Sequence, residues 1–292
     1  LGRRPATGIE LYESIEPSEV VPLTVAALKF FNAEGNREKR YSARWRHVRE
    51  RMGDDAFLER LDEEFERERQ EGDWPAPDVP VVSGGLPLEA HLRLPLGDME
   101  ADAALELARC AEEAGGEIRL GFEHDLFVFA EEPLDLPESL SSLEDGPRIV
   151  ACPGTTWCSQ GLADSRRVER ELREVWPDGL SLSLGFSGCP NNCAHAGVAD
   201  IGVTGRIKKL DGTRTRSFRL WAGGGKGKTD ELGRQLHAVV PQDEIVDAIA
   251  RVAREYEADG EGRLPDFVRE NEEDLIAAVD EEVSIPAEGP SG

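Results

Sequence analysis

The chain has 292 residues, a formal net charge of −25 and 32% charged residues. That length allows one large domain or two smaller ones around a sizeable core. The acid excess argues against nucleic acid as a partner, and no apolar run is long enough for a membrane-spanning helix.

Lysine stands only at Lys29, Lys39, Lys208, Lys209, Lys226 and Lys228. Acid excess with arginine preferred to lysine suggests a cytoplasmic protein of a salt-rich cell, whose self-repulsion salt screens. An ordinary acidic cytoplasmic protein is the alternative. The first residue is Leu1 rather than Met, as expected of a piece of a longer protein.

The chain opens on a basic loop, LGRRPATG, containing Arg3 and Arg4. Residues 16–70 read as helices, with Ser18 and Asp54 as N-caps and Gly35 and Gly53 as breaks. Pro22 fits only a first turn. Arg37, Arg40 and Arg44, spaced three and four apart, are expected to share one helix face. Residues 63–71 are strongly charged and expected to be exposed. GDWPAPDVP at 72–80 is a proline-rich linker and the clearest internal boundary.

Residues 81–132 alternate strand, helix and strand. The segment 91–94 is a short strand, and 99–114 a helix with the stripe Ala104, Leu107, Ala108 and Ala111. Gly115 and Gly116 end it. Segments 117–120 and 126–130 are strands. Cys110 reads as a small buried hydrophobe, and His91 and His124 as structural. An acidic loop at 133–146 leads to strand 148–151, helix 159–175, a turn at Asp178–Gly179, strand 180–186 and strand 198–203. A basic hairpin follows at 205–228, turning at Asp211–Gly212 and ending in a Gly223–Gly225 loop. Segments 230–239 and 242–256 read as helices, the second striped by Ile245, Ala248, Ile249 and Val252. The acidic tail, 271–292, is expected to lack fixed structure.

Four cysteines stand out. Cys152 and Cys158 bracket five residues in CPGTTWC, and Cys189 and Cys193 bracket three in SGCPNNC. Four thiolates in two close pairs can enclose one tetrahedral ion or one cubane iron–sulfur cluster. Disulfides are disfavoured: no signal peptide is evident and a chain this long needs no staples. Zinc sites usually use shorter gaps than five residues. Pro153, Gly154, Gly188 and Pro190 make tight loops able to bring N–H groups near sulfur.

C-x5-C followed about thirty residues later by G-C-P-N-x-C resembles the siroheme-dependent nitrite and sulfite reductases. The resemblance covers the second half of that family. It implies an α+β fold: an N-terminal helical segment (1–72), a ferredoxin-like half-domain (81–146) and an α/β domain binding siroheme and a [4Fe–4S] cluster (147–270). By position, Cys152, Cys158, Cys189 and Cys193 match the cluster ligands, and Cys193 the thiolate shared with the siroheme iron. Asn191 matches an Asn beside the siroheme. Arg3, Arg4, Arg119, Lys226 and Lys228 become candidates for siroheme carboxylates, and Arg37, Arg40 and Arg44 for gripping the same anionic macrocycle. At Arg119 the chain departs from the family, with Gly121, Glu123 and His124 where Thr and Gln are common.

The implied activity is six-electron reduction of nitrite to ammonia or sulfite to sulfide, with ferredoxin or a similar donor. The family's substrate-gripping Arg and Lys residues lie in its first half, so no catalytic residue is assigned here. The competing reading is an iron–sulfur electron-transfer protein without siroheme. A zinc-stabilised binding module is a third. The basic 205–228 segment could hold siroheme carboxylates or dock an acidic donor.

Overall fold

A computed structural model describes residues 6–39, 42–75, 77, 85–144, 147–177, 179–210, 212–225, 231–259 and 262–285. The chain divides into two compact units, 8–84 and a larger one formed by 85–292 with 1–7.

The smaller unit is helical: α1 (Val20–Glu34), α2 (Trp45–Met52) and α3 (Asp54–Glu71). Phe30, Val48, Phe57 and Leu61 form its core, with the Trp45 ring edge-on to Phe30 and Phe57 at 5.5 and 5.2 Å. Pro22 lies in the first turn of α1, and Gly35 and Gly53 end α1 and α2 as read from sequence. The caps differ. Glu19 precedes α1 and Gly53 precedes α3, so Asp54 is already helical, its charge at the positive end of the helix dipole. Two further expectations are overturned. Glu64 and Glu68 are buried, not exposed. They are tolerated because Arg60 and Arg67 bind Glu64, and Lys29 binds Glu68. Arg37 and Arg44 share no helix face, because α1 stops at Glu34 and α2 starts at Trp45. Arg40 lies outside the described residues.

The larger unit begins with β1 (Leu88–Arg93), α4 (Ala101–Glu113), β2 (Glu117–Leu120) and β3 (Asp125–Phe129). These strands form an antiparallel sheet in the order β1-β3-β2. Alternation puts Ala90, Leu92, Leu126 and Val128 on the face that packs with Leu107 and Ala111 of α4. The short helix α5 (Glu138–Ser141) closes this core through Leu140.

A second sheet follows: β4 (Arg148–Ala151), the short α6 (Gly154–Trp157), α7 (Ser165–Val175), β5 (Ser183–Ser187), β6 (Ile201–Leu210), β7 (Thr213–Ala222) and β8 (Arg234–Pro241). The strand order is β4-β5-β6-β7-β8. β4, β5 and β6 are parallel, and β6, β7 and β8 antiparallel. Helices α8 (Ile245–Asp259), α9 (Leu264–Glu270) and α10 (Glu272–Glu281) complete the unit.

One face of this sheet carries Ile149, Leu184, Ile201, Phe186, Val203, Leu220 and Phe218, packed with Val168 and Leu172 of α7 and Ile245, Ala248, Ile249 and Val252 of α8. The basic hairpin is β6–β7 as expected, although Asp211 at its turn lies outside the described residues.

Three elements differ from the sequence reading. Residues 234–241 are a strand, not a helix: Val239 and Val240 are β-branched, and pairing with β7 fills a buried sheet position. The helix expected from 159 starts only at Ser165, where the Asp164 side chain accepts the Arg167 N–H at 3.1 Å. The tail from 271 carries α10, fixed by burial of Leu275, Ala278 and Val279; residues 286–292 lie outside the description. Asp178 of the expected turn does too.

Candidate metal centre

The cysteines stand where parallel strands end. β4 delivers Cys152, whose N–H donates to the Phe186 carbonyl at 2.9 Å. The one-turn helix α6 then places Cys158, whose N–H closes on the Gly154 carbonyl at 3.1 Å. β5 delivers Cys189, and the connection from β5 to β6 carries Cys193. This connection replaces the helix that usually joins parallel strands. None of the cysteines is disulfide-bonded: Cys189 is buried, Cys152 half-buried, Cys158 and Cys193 exposed. Cys110, in α4, is buried apart from them, as read from sequence.

Backbone amides serve the sulfurs. The Gly188 N–H donates to Cys152 Sγ at 3.0 Å, and the Asn191 amide opposes the rise that burial gives the Cys189 thiol. Such bonds stabilise sulfur in its anionic, metal-binding form. Gly188 is needed for this approach, since a Cβ there would stand 2.7 Å from the Ala163 carbonyl oxygen. That carbonyl belongs to a loop whose own amides, Leu162 and Ala163, both donate to the Gly188 carbonyl at 2.8 and 2.9 Å. Ser165 ties the first pair to α7 by donating to the Cys152 carbonyl at 2.8 Å.

The Cys193 loop lies on the sheet face opposite α7 and α8. Gly185 and Gly202 are paired neighbours there. A Cβ on either would collide with the loop backbone, 2.6 Å from the Ala194 oxygen and 2.0 Å from the Ala196 oxygen. Asn192, buried and left-handed at φ +58, accepts the Ala196 N–H at 2.7 Å. Ser187 accepts the Ala194 N–H at 3.0 Å. Cys193 is therefore held between two residues fixed from the strand below.

Cys189 and Cys193 sense the other cysteines. Burial raises the Cys189 thiol, the Asn191 amide opposes it, and Cys152, Cys193 and Cys158 raise it further. Burial also raises Cys193, with Cys152 and Cys158 adding to it. Gathered thiolates that repel one another need a cation to hold them ionised. Among the described residues, no three His, Cys, Asp or Glu side chains converge as the ligands of one ion would. Soft sulfur donors, amide hydrogen bonds to sulfur and loops backed by glycine fit a multi-iron cage bound by the two pairs.

Of the other sequence candidates, Asn191 is exposed beside Cys193. Arg119 lies in β2 of the three-stranded sheet, bound to Glu117 and 4.2 Å above the Phe129 ring. His91 bonds Asp125 at 2.8 Å and stacks on Phe127, as a structural residue would. Arg3, Arg4, Lys226 and Lys228 lie outside the described residues. Sequence reasoning missed Ser165, Ser187 and Asn192. Only Asn192 left a signal, as a residue type that tolerates left-handed backbone.

Residues 147–285 match the family description "Nitrite and sulphite reductase 4Fe-4S domain". The chain is similar to an assimilatory ferredoxin-dependent nitrite reductase of Haloferax mediterranei, 29% identical over 79% of this chain and 46% of that one. It is also similar to "Sulfite reductase [ferredoxin] 2" of Mycolicibacterium paratuberculosis, 30% identical over 88% of this chain and 52% of that one. Its fold is like that of the Mycobacterium tuberculosis NirA protein, with a TM-score of 0.68 at 22% identity, over 94% of this chain and 56% of that one. The chain spans about half the length of the curated relatives it matches.

Proposed function

The chain belongs to the siroheme-dependent nitrite and sulfite reductases through its 147–285 segment, and from that premise we propose that it forms the cluster-binding half of an enzyme reducing nitrite to ammonia or sulfite to sulfide by six electrons. The observation that carries the reading is the Gly188 amide bonded to Cys152 Sγ, within a set of four cysteines whose charges raise the Cys189 and Cys193 thiols.

In this reading Cys152, Cys158, Cys189 and Cys193 would hold a [4Fe–4S] cluster, and Cys193 would share its thiolate with the siroheme iron. The bound groups supply single-electron storage and the metal at which the substrate anion is reduced. The chain does the rest. The Gly188 and Asn191 amides hold two sulfurs anionic. Ser187 and Asn192 fix the backbone beside Cys193 through the Ala194 and Ala196 amides. The glycines under the loop let its backbone lie directly on the sheet face. Asn191 is exposed next to Cys193 and would contact the siroheme, with Arg3, Arg4, Lys226 and Lys228 as candidate partners for its carboxylates.

Ferredoxin, or a donor like it, is the proposed electron source. Free thiols ready for metal require a reducing compartment, which supports a cytoplasmic setting. Among the described residues no helix is long and apolar enough to cross a membrane.

The test is a single-turnover assay with reduced donor and either nitrite or sulfite, on this chain alone and with a family first half added. Reduction by the combined sample, lost in Cys193→Ala, supports the proposal. A chain that binds cluster and passes electrons, yet takes no siroheme and reduces neither anion with the added half, refutes it in favour of the electron-transfer reading.

A further inference from the structure

Where α7 packs against the turn after β1, two buried polar atoms lack partners. Glu169 of α7 is fully buried. One of its oxygens accepts the Leu96 N–H at 2.7 Å and the Arg173 guanidinium at 2.9 Å. The other, Oε2, meets nothing, and among the described residues it is the one buried carboxylate oxygen left unmet. His124 is near enough for its charge to act on Glu169, and its buried Nδ1 also lacks a partner. The backbone here is strained: Leu96 and His124 are both left-handed, at φ +59 and +60. The Leu94 N–H ties their two turns together by donating to the His124 carbonyl at 2.8 Å.

Helix α7 joins this place to the thiols. Ser165, one helical turn before Glu169, donates to the Cys152 carbonyl at 2.8 Å, and its Oγ lies 3.5 Å from Cys152 Sγ. Helix residues four apart are about 6 Å apart, with side chains tilted towards the N-terminus, so the Glu169 carboxyl stands roughly 10 Å from that sulfur. A negative charge added at that distance, at an effective dielectric constant of about 20, makes a carboxyl hold its proton about tenfold more tightly. The neighbouring charges are paired off: Arg173 with Glu169 itself, Arg166 with Asp98, and Arg148 with Glu123 beside His124.

We propose that Glu169, with His124 facing it, is a proton-binding site linked to reduction of the cluster. This rests on the functional reading above. One electron from a single-electron carrier enters the cluster, and one proton from water goes onto Glu169 Oε2, so the interior gains no net charge. No bond between heavier atoms forms or breaks. The new O–H finds its acceptor in His124 Nδ1, directly or across one water, while Leu96 and Arg173 keep the other oxygen. Burial already raises this carboxyl, with Leu96 and Arg173 opposing, as such a site requires. The reduced state binds the proton more tightly, so the cluster's midpoint potential falls as pH rises between the two proton affinities. The total fall matches the tenfold difference, about 59 mV for one electron.

The experiment is a redox titration of the full chain, loaded with cluster, from about pH 5 to pH 9. The paramagnetic resonance of the reduced cluster is followed, and iron and acid-labile sulfide are measured in parallel. Wild type should show the fall. Glu169→Gln should make the potential independent of pH with iron and sulfide unchanged, a result that a purely structural role for Glu169 would not give. Arg173→Gln removes the cation that opposes proton uptake, and should move the fall to higher pH. A flat wild-type curve, or a Glu169→Gln curve that falls as wild type does, with the cluster intact, overturns this assignment alone. A wild-type chain that takes up no iron and sulfide overturns it together with the functional reading.

Discussion

On one face of the five-stranded sheet, Leu184, Phe186, Val203, Phe218 and Leu220 lie under α7 and α8 without a polar partner among them. On the other, the same strands present Gly185, Ser187, Gly202, Thr204, Arg206 and Arg219, covered in part by a loop without helix or strand. The period-two alternation of a strand lets a single set of residues serve both. Apolar burial on the first face supplies stability. The second face gives up side-chain volume so that the Cys193 backbone can sit against the sheet. Rigidity is made on one side and used on the other.

That comparison can be broken from either side. The largest effect is expected from Cys189→Ser on the site side: nearly all cluster iron and sulfide should be lost, and with it the brown absorbance. Next is Leu184→Ala on the packed side. It should destabilise the chain by about 2–5 kcal/mol in denaturant titration, the range for deleting a buried leucine side chain, while the refolded chain still takes up cluster. Gly202→Ala should cost about 1–3 kcal/mol by overpacking against the Ala196 carbonyl. It should also lower siroheme uptake more than cluster uptake, because Cys193 lies on the displaced loop and Cys152 does not.

The smallest effect concerns a buried carboxylate on the packed side. Glu169 of α7 is fully buried, accepts the Leu96 N–H at 2.7 Å and binds Arg173 at 2.9 Å. Its other oxygen has no partner. Burial raises its carboxyl above the ordinary 4.5, with Leu96 and Arg173 opposing. The native state therefore holds this proton more tightly than the unfolded chain does. Its contribution to stability is complete below pH 4.5 and declines as pH rises through the elevated value. Glu169→Gln should flatten that part of the stability-against-pH curve, measured by urea midpoints across weakly acidic pH. An unchanged curve would mean that Arg173 already offsets the burial.

The cysteine spacing was readable because ligand geometry is written in local intervals, and the two pairs do stand at the ends of β4 and β5. The α8 stripe was readable for the same reason; of the α4 stripe only Leu107 and Ala111 are buried, while Ala104 and Ala108 are exposed and Ala103 and Cys110 take their place. Segment 234–241 was not, since its pairing with β7 outweighs local pattern. Arg37 and Arg44 misled because spacing says which residues share a face only where the helix persists. Glu64 and Glu68 misled because a charge run does not reveal which member meets a cation. Ser187 lies one residue past the strand read at 180–186, and its bond to Ala194 depends on a loop folding back over the strand. Arg206 and Arg219 were legible as basic residues; that they lack acids among the described residues is a fact of the fold alone.

The central claim is that the open face holds an iron–sulfur cage and, through Cys193, a tetrapyrrole. Absorption spectroscopy with metal analysis, on the chain produced in a host that makes siroheme, tests it most directly. The expected result is iron and acid-labile sulfide with a Soret and a red band, both bands disappearing in Cys193→Ala. A colourless chain carrying one zinc per molecule would contradict it.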